Sequence, residues 1–439
     1  MKQLAYTLLI CVLFSACKKD KTSDIQPVDL AVKVSYSLET SSYTLPQKDI
    51  KIQLKNVNTG TVQILNTDET GAITFKSIAA GTYDIDATIT IAAAVYTQLT
   101  GIETNSDITF NAASKNTQIT VGFTGGIELK LVSGTISDWV IKQIYFAGSH
   151  RQNGATYRDQ FIEFYNNSDQ TLYADGLYFA EITGVITSGA SYYLLPSEQM
   201  DWSKSVNMPT NIDANKDYVY ARALLMIPGT GKQYPVLPGK SIVVAQTAIN
   251  HKQPFTGTDG EAVSVLDPSL TVDLSGADFE AYYAPFLTKP LSSDVDTAVP
   301  NLEALAYFGT DMIFDNNGRY SYILFKASAD VVVKDLPQYH YPTKSVPTST
   351  SKKYYQIPNN LILDAVEVQA NLPDDRNPKK LNPALDAGFA FVPAGSYTSQ
   401  SVIRKTEKTI NGRIILKDTN NSTEDFSFFN IATPRGFKQ

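Results

Sequence analysis

Side chains that could perform catalysis or bind a metal are few in this sequence of 439 residues. The three histidines, His150, His251 and His340, are scattered without the spacing that is typical of zinc ligands. The chain contains no Gly-x-Ser-x-Gly elbow, His-Glu-x-x-His motif, Gly-x-Gly-x-x-Gly turn or Cys-x-x-Cys pair. The sequence therefore predicts no catalytic residues, no metal and no cofactor, and we expect that the protein is not an enzyme.

Carboxylates on distant strands leave one catalytic alternative open. Asp159 and Glu163 lie on the same face of a predicted strand, and Asp364 or Glu367 on another strand could face them. A hydrolase requires two such carboxylates in one cleft for general acid–base catalysis. The alternative that we favour is a structural role for these residues at the edge of a sheet.

Two acidic turns, at residues 311–318 and 373–378, resemble calcium loops only superficially. Neither has the alternating ligands and the terminal Glu of an EF-hand loop. In the first turn, Asn317-Gly318 predicts a hairpin connection because this dipeptide tolerates left-handed dihedral angles. The second turn is bracketed by prolines, which is typical of an exposed turn.

Aromatic residues cluster between residues 192 and 355, often as doublets. Neighbouring residues on a strand point to opposite faces, so both rings of a doublet cannot face one core. Exposed Tyr and Trp rings suit a protein interface or stacking on a sugar. The alternative is that the rings close the ends of a sandwich. The candidate ligand- or partner-binding residues are Tyr192, Tyr193, Trp202, Tyr282 and Tyr283.

The charge balance argues against nucleic acid as a partner. The chain has 37 Lys and Arg against 44 Asp and Glu, a formal net charge of −7, and shows no basic stripe. Nucleic-acid binding requires cations that neutralise phosphates.

The N-terminus predicts secretion. Lys2 and the apolar residues 4–14 form a charged region and a short hydrophobic region, which are typical of a signal peptide. The following Phe14-Ser15-Ala16-Cys17 resembles the bacterial lipobox, which implies cleavage after residue 16 and acylation of Cys17. An ordinary membrane anchor is the alternative, but the apolar stretch is too short to span a bilayer.

Residues 17–27 form a predicted polar tether. Its first residues, Cys17-Lys18-Lys19-Asp20, resemble the export signal of Bacteroidota lipoproteins. This resemblance implies display on the outer face of the outer membrane, with Lys18, Lys19 and Asp20 as the signal. The alternative is that these residues form only a solvated linker and carry no export signal.

Residues 28–125 alternate apolar and polar side chains with period two, which predicts an antiparallel β-sandwich. The predicted strands include 31–36, 50–54 and 83–89. The segment 67–83, with glycines at Gly71 and Gly81, resembles the hallmark of the prealbumin-like or carboxypeptidase-regulatory-like fold. Such domains are mostly spacers, so the resemblance implies architecture rather than activity.

Residues 126–439 contain ordered motifs of a second sandwich. These motifs lie at residues 141–146, 159–177, 237–245, 362–368, 401–405 and 418–426. Together they resemble the lamin-tail domain, which is much shorter than this segment. We therefore expect long insertions near 180–234 and 250–360, where clean periodicity is lacking.

The whole chain is thus predicted to be all-β, with two sandwich domains. It resembles a family of uncharacterised Bacteroidota lipoproteins, whose members are often associated with TonB-dependent transporters. The resemblance implies a lipid-anchored outer-membrane protein that binds an outer-membrane partner and helps to capture its ligand. The alternative is a carbohydrate-binding or adhesive surface module with a glycan ligand.

Overall fold

The computed structural model of this chain describes residues 27–36, 44–101, 107–133, 137–187, 191–328 and 330–438. The predicted signal peptide, Cys17, Lys18, Lys19 and Asp20 lie outside the described residues. The described residues form mainly β-strands, with short helices α1 (Ala93–Thr100) and α2 (Ser422–Asp425). The predicted all-β class is therefore confirmed.

The first part of the chain forms one curled sheet that encloses its own core. Its strands follow the order β3-β2-β5-β6-β7-β1-β4, and the edge strands β3 and β4 contact each other. All described neighbours are antiparallel except β1 and β7, which run parallel. The strands are β1 (Val28–Tyr36), β2 (Lys51–Asn56), β3 (Val62–Asn66), β4 (Ala72–Ile78), β5 (Gly81–Ile91), β6 (Ile108–Ile119) and β7 (Gly126–Ser133).

Period-two burial explains why these residues form strands. In β1, Val28, Leu30, Val32 and Val34 are buried, and the residues between them are exposed. The strands predicted at 31–36, 50–54 and 83–89 coincide with β1, β2 and β5. Strand β7 pairs with both β1 and β6, so the first sandwich extends beyond the expected boundary at residue 125.

The second part of the chain contains the remaining strands. They are β8 (Trp139–Tyr145), β9 (Phe161–Asn166), β10 (Leu172–Tyr173), β11 (Leu177–Ile182), β12 (Tyr218–Met226), β13 (Pro235–Val236), β14 (Ser241–Ala245), β15 (Phe255–Thr256), β16 (Ala262–Val263), β17 (Phe279–Glu280), β18 (Glu303–Ala306), β19 (Ser321–Lys326), β20 (Gln338–Tyr339), β21 (Tyr354–Pro358), β22 (Ile362–Glu367), β23 (Ser401–Arg404), β24 (Thr406–Ile410), β25 (Arg413–Leu416) and β26 (Phe426–Phe429).

These strands build a sandwich of two sheets. Sheet I has the order β17-β14-β9-β8-β23-β26, and sheet II has the order β20-β21-β12-β11-β19-β22, with β18 also paired to β12. Ile144 and Phe164 of sheet I pack against Phe179, Leu324 and Val366 of sheet II. Further buried clusters cover the outer faces of both sheets, so the central strands are buried on both sides.

Two strands of sheet II lie within the segments that are expected to be long insertions. Strand β12 lies within 180–234 and β19 lies within 250–360, yet these two strands flank β11 in the sheet. Both strands are buried on both faces, and apart from Arg222, Ser321 and Lys326 their residues are apolar. They consequently lack the alternation that marks a half-buried strand.

The turn at Asp315–Gly318 is also corrected. Gly318 has φ +70°, and its N–H donates to the Asp315 carbonyl oxygen at 2.9 Å, so a tight turn is present. The following strand, β19, pairs with β11 and β22, whereas β18 pairs with β12. The turn therefore joins two strands that are not paired with each other and is not a hairpin connection.

Candidate functional site

A buried arginine links the two sheets of the second sandwich. Val402 on β23 and Val366 on β22 point into the core between the sheets. Arg404 and Asp364 each lie two residues away from one of these valines on the same strand. Because residues two apart on a strand share a face, both side chains also point between the sheets. Arg404 Nη2 donates to Asp364 Oδ2 at 2.6 Å, and Arg404 Nε donates to the Ile141 carbonyl oxygen at 3.0 Å. This contact fastens sheet I to sheet II.

Two more carboxylates complete what we call the Arg404 cluster: Arg404, Asp364, Asp418 and Asp425. Arg404 Nη1 lies 3.1 Å from Asp418 Oδ1 and 3.4 Å from Asp425 Oδ2. Burial raises the pKa of Asp364 and of Asp425, although the guanidinium opposes the rise. Burial alone would lower the pKa of Arg404, but attraction to the carboxylates outweighs it and raises that pKa. The lamin-tail-like motifs supply all four side chains, and they form a structural ion cluster.

The other candidate carboxylates have separate partners. Glu163 accepts from Lys142 Nζ at 2.9 Å and from Ser241 Oγ at 2.5 Å. Glu367 accepts from the Leu381 N–H at 3.0 Å and lies 3.4 Å from Lys380 Nζ. Neither glutamate shares a partner with Asp364, so the expected structural role fits these contacts better than an acid–base pair does.

Asp159 is buried without a cationic partner within ion-pair distance in the described part of the chain. Its Oδ2 accepts from Thr271 Oγ1 at 2.6 Å and from the Tyr145 hydroxyl at 3.2 Å, while Oδ1 has no hydrogen-bond partner. Burial raises the pKa of Asp159 to about 6. With no exposed surface, this carboxyl group has no access to a substrate.

The candidate tryptophan lies inside an aromatic cluster. Trp202 begins a short 3₁₀-helix (Trp202–Lys204), is 5% exposed, and stacks on Tyr220 with 3.6 Å between ring centroids. Tyr341 and Tyr354 pack around the same indole. This burial corrects the expectation that Trp202 presents an open ring, because one indole face is already covered.

The candidate tyrosines lie in different settings. Tyr193 is 41% exposed, whereas Tyr192 is half-buried against Tyr341. Tyr282 is half-buried, but Tyr283 is 1% exposed and belongs to the core between the sheets. Each doublet thus has its rings in unequal environments although neither lies on a strand, and the structure does not bring both doublets and Trp202 into one site.

A cleft of about 650 Å³ lies where the two sandwiches meet. The first sandwich contributes Asp84, Lys115 and Asn116 from β5, β6 and their surroundings, and the second contributes Trp202 and Arg376. The sandwiches also touch directly, because the Asn111 side chain donates to the Thr419 carbonyl oxygen. Sequence reasoning missed this cleft because its walls come from segments far apart in the chain.

Arg376 lines the cleft and has only backbone carbonyl oxygens as hydrogen-bond acceptors in the described residues. Its guanidinium lies over the rings of Phe389 and Phe391, at 4.7 and 5.3 Å from their centroids. It donates to the carbonyl oxygens of Ala370 and Asn371, at 3.1 and 3.3 Å. Within the described residues, no carboxylate lies within ion-pair distance of Arg376, and burial lowers its pKa although attraction to Asp84 opposes the shift. An anionic group of a ligand would supply the missing counter-charge.

Other cations surround Arg376, and of Lys115 and Lys379 only Lys115 forms an ion pair within the described residues. Lys115 lies 2.5 Å from a buried Asp86 oxygen, and Lys379 donates to the carbonyl oxygens of Asp386 and Gly388. Burial lowers the pKa of Lys379. Burial also lowers the pKa of Lys55, helped by repulsion from Arg376 and Lys115. The cleft lining itself contains four Lys and Arg side chains against the two carboxylates of Asp84 and Glu198.

Metal ligands do not form an evident centre. In the described ranges, no group of three or more His, Cys, Asp or Glu side chains is arranged to hold a metal ion. His251 is buried, and burial lowers its pKa to about 4, whereas His150 and His340 lie in turns or loops elsewhere. The part of the chain that the structure describes also has no helix that is long and apolar enough to cross a bilayer.

Part of the chain is similar in sequence to one protein family. Residues 237–433 match the family described as "Protein of unknown function (DUF4876)". A crystal structure of a DUF4876 family protein from Bacteroides thetaiotaomicron VPI-5482 is 24% identical in sequence, with a TM-score of 0.49. The alignment covers 91% of this chain and 95% of that chain. No curated protein matches the chain.

The family match supports the expected resemblance to an uncharacterised family. The family match begins at Leu237, so it covers β14 and the strands after it but not the first sandwich. It includes the whole Arg404 cluster and also Arg376 of the cleft. The lipoprotein signal and the stalk-like domain remain predictions from the sequence.

Proposed function

We propose that this chain is a non-catalytic, lipid-anchored outer-membrane protein that captures a polar, anionic ligand in the cleft between its sandwiches. The observation that carries this proposal is Arg376, whose guanidinium has no carboxylate partner among the described residues while it lines a cleft of about 650 Å³. A volume of this size suits a small molecule or a few sugar or peptide units.

Ligand capture is tested with tryptophan fluorescence, because the chain has two tryptophans and Trp202 lines the cleft. Trp139→Phe leaves Trp202 as the reporter. The probes are oligogalacturonates, sugar phosphates and acidic peptides. We expect one class to change the fluorescence saturably, and Arg376→Gln to weaken its binding about 10- to 100-fold, as the loss of a charged hydrogen bond does.

Arg319→Gln is the matched control. Arg319 already pairs with Asp315 at 2.7 Å and lies outside the cleft lining, so this variant should retain the affinity. Equal affinity of the Arg376→Gln and unmodified proteins would contradict the proposed ligand site.

The partner that we propose is a TonB-dependent transporter in the outer membrane, to which this protein would present its ligand. The lipobox-like segment ending at Cys17 and the resemblance to transporter-associated lipoproteins support this part. Cross-linking of the native lipoprotein in outer membranes, followed by mass spectrometry, should identify a transporter of this class. Cys17→Ser should remove both lipid labelling and the cross-link, and recovery of no barrel protein would count against the partnership.

Surface display is a separate part of the proposal. Replacing Lys18, Lys19 and Asp20 by alanine should leave lipid labelling unchanged but protect the protein from protease added to intact cells. Equal protease sensitivity of the variant and the unmodified protein would show that these residues are only a linker.

An adhesive or carbohydrate-binding module is the second candidate, and an exposed aromatic pair favours it. Phe286 and Tyr307, 48% and 38% exposed, stack with 5.6 Å between ring centroids. Stacked rings at a surface are typical platforms for sugars. Neutral glycans on an array should then bind the unmodified protein but not Phe286→Ala. Trp202→Ala is the weaker test, because burial makes it a stability variant.

A further inference from the structure

A second cavity, of about 440 Å³, adjoins the cleft. The two volumes share three lining residues, which are Gln369, Arg376 and Asn377. Both volumes fall in the range of small-molecule sites. Because Arg376 lines both of them, a group that binds Arg376 in the cleft lies next to the second cavity.

The loop between the two volumes, residues 369–377, is held at both ends. Gln369 is 2% exposed, its Nε2 donates to the Asn377 carbonyl oxygen at 3.1 Å, and its Oε1 accepts from the Asn377 N–H at 3.0 Å. Within the loop, Arg376 donates to the carbonyl oxygens of Ala370 and Asn371. Because these contacts fix the loop, its side chains require little further ordering when a ligand binds.

Several polar groups of the second cavity are free to contact a ligand. Asp374 and Asp375 are exposed, and their carboxylates form no hydrogen bond or ion pair within the described residues. The carboxamides of Asn316 and Asn377 also have no hydrogen-bond partner there. Arg376 uses Nε and Nη2 for its carbonyl partners, so its Nη1 remains available.

The lining of the second cavity suits hydroxyl groups. Five lining side chains are carboxamides and two are unpaired carboxylates. A hydroxyl group both donates and accepts, so it pairs with either kind of group and carries no charge. A further anionic group would be repelled by Asp374 and Asp375. Arg319 also lines this cavity, but its Nε and Nη2 both donate to Asp315, at 2.7 and 2.9 Å.

We propose that the ligand is an acidic oligosaccharide, whose acidic sugar binds Arg376 and whose neighbouring neutral sugars occupy the second cavity. This inference rests on the proposed function, because it names the class of ligand that the cleft captures. A peptide of acidic residues fits less well, since its further carboxylates would face Asp374 and Asp375. The same repulsion disfavours a glycan in which every sugar is acidic.

The test measures binding of the full lipoprotein in detergent to an array with four kinds of probe. These are neutral oligosaccharides, the same backbones carrying one uronate, free uronic acids and acidic peptides. We expect the tightest binder to be an oligosaccharide that carries one uronate. Calorimetry should then show an affinity about 10- to 100-fold above that of the free uronic acid, because the neutral sugars add hydrogen bonds to a carboxylate.

Asp375→Ala separates the second cavity from the cleft. Asp375 lies outside the cleft lining, so this variant should bind the oligosaccharide about 10- to 100-fold more weakly but retain the affinity for the free uronic acid. Asp335→Ala is the matched control. Asp335 is also an exposed aspartate at the end of a 3₁₀-helix (Val333–Asp335), but it lines neither volume, so its replacement should change neither affinity.

The outcomes distinguish this inference from the proposed function. Equal affinities for the uronate-bearing oligosaccharide and the free uronic acid would overturn the inference but leave anion capture in the cleft intact. A preference for acidic peptides, or an unchanged oligosaccharide affinity in Asp375→Ala, would do the same. Failure of every anionic probe to bind would overturn both the inference and the proposed function.

Discussion

Replacing Arg404 by Met tests whether the Arg404 cluster is what fastens the two sheets together. The substitution keeps an unbranched side chain but leaves Asp364, Asp418 and Asp425 without the guanidinium. Removing one partner of a buried ion pair typically costs about 3–5 kcal/mol. Three carboxylates share this cation, but protonation limits the cost, because burial already raises the pKa of Asp364 and Asp425. We expect a loss of about 4 kcal/mol at pH 8.

The pH dependence of this loss of stability follows from the direction in which the pKa values of Asp364 and Asp425 shift. Without the guanidinium, the pKa values of Asp364 and Asp425 rise further in the folded state. A raised folded-state pKa gives stability that is present at low pH and lost as the pH rises through that pKa. The difference between Arg404→Met and the unmodified protein should therefore be smaller at pH 5 than at pH 8. Urea unfolding monitored by circular dichroism at both pH values measures this difference in the free energy of unfolding.

Arg413→Met is the matched control. Arg413 donates to the carbonyl oxygens of Asn167 and Ser168, at 2.8 and 2.7 Å, and forms no ion pair among the described residues. Its replacement should cost about 1–2 kcal/mol with no change between pH 5 and pH 8. Adding Asp364→Leu to Arg404→Met should recover part of the stability. A cost below about 1 kcal/mol for Arg404→Met, or an equal cost at both pH values, would refute the reasoning.

The remaining predictions concern other buried positions. Asp159→Asn should stabilise the protein above pH 6, because burial raises the pKa of Asp159 to about 6 and makes its ionisation unfavourable in the fold. Urea unfolding at several pH values should show a gain of about 2–3 kcal/mol in the free energy of unfolding. Gly148→Ala should lower the thermal midpoint far more than Gly260→Ala, because both have positive φ but only the Gly148 Cβ would meet a backbone oxygen, at 2.1 Å. Trp202→Ala should cost about 3–5 kcal/mol in urea unfolding, as buried aromatic truncations do. A stability gain in Asp159→Asn that does not vary with pH would contradict the first prediction. Equal changes in thermal midpoint for the two glycine variants would contradict the second, and an unchanged urea midpoint in Trp202→Ala would contradict the third.

How much of this fold the sequence predicts depends on where each strand lies. Strands with one solvent-facing side, such as β1, alternate visibly and are predicted from their periodicity. Strands β12 and β19 are buried on both faces, so their residues do not alternate and the surrounding segments resemble insertions. The lamin-tail-like motifs mark the right strands, but they do not reveal that Arg404 meets Asp364 across the sandwich.

The cleft could not be predicted for a different reason. Lys115 and Arg376 are far apart in the sequence and reach the cleft from different sandwiches. Each segment taken alone looks like an ordinary polar turn or strand end. Only the contact between the sandwiches shows that Arg376 faces an open volume without a carboxylate partner in the described chain.

The Arg404 cluster and the cleft are connected through one short segment. Asp418 and Asp425 bind Arg404, and between them the Thr419 carbonyl accepts from Asn111 of the first sandwich. In the same segment, Glu424 lies 3.4 Å from Lys51 of β2. The buried arginine therefore holds the segment that docks the first sandwich beside the cleft. Arg404→Met should accordingly weaken ligand binding in the cleft under conditions where the protein remains folded, although Arg404 does not line it. Unchanged affinity in that variant would mean that the sandwiches hold their relative position without the cluster.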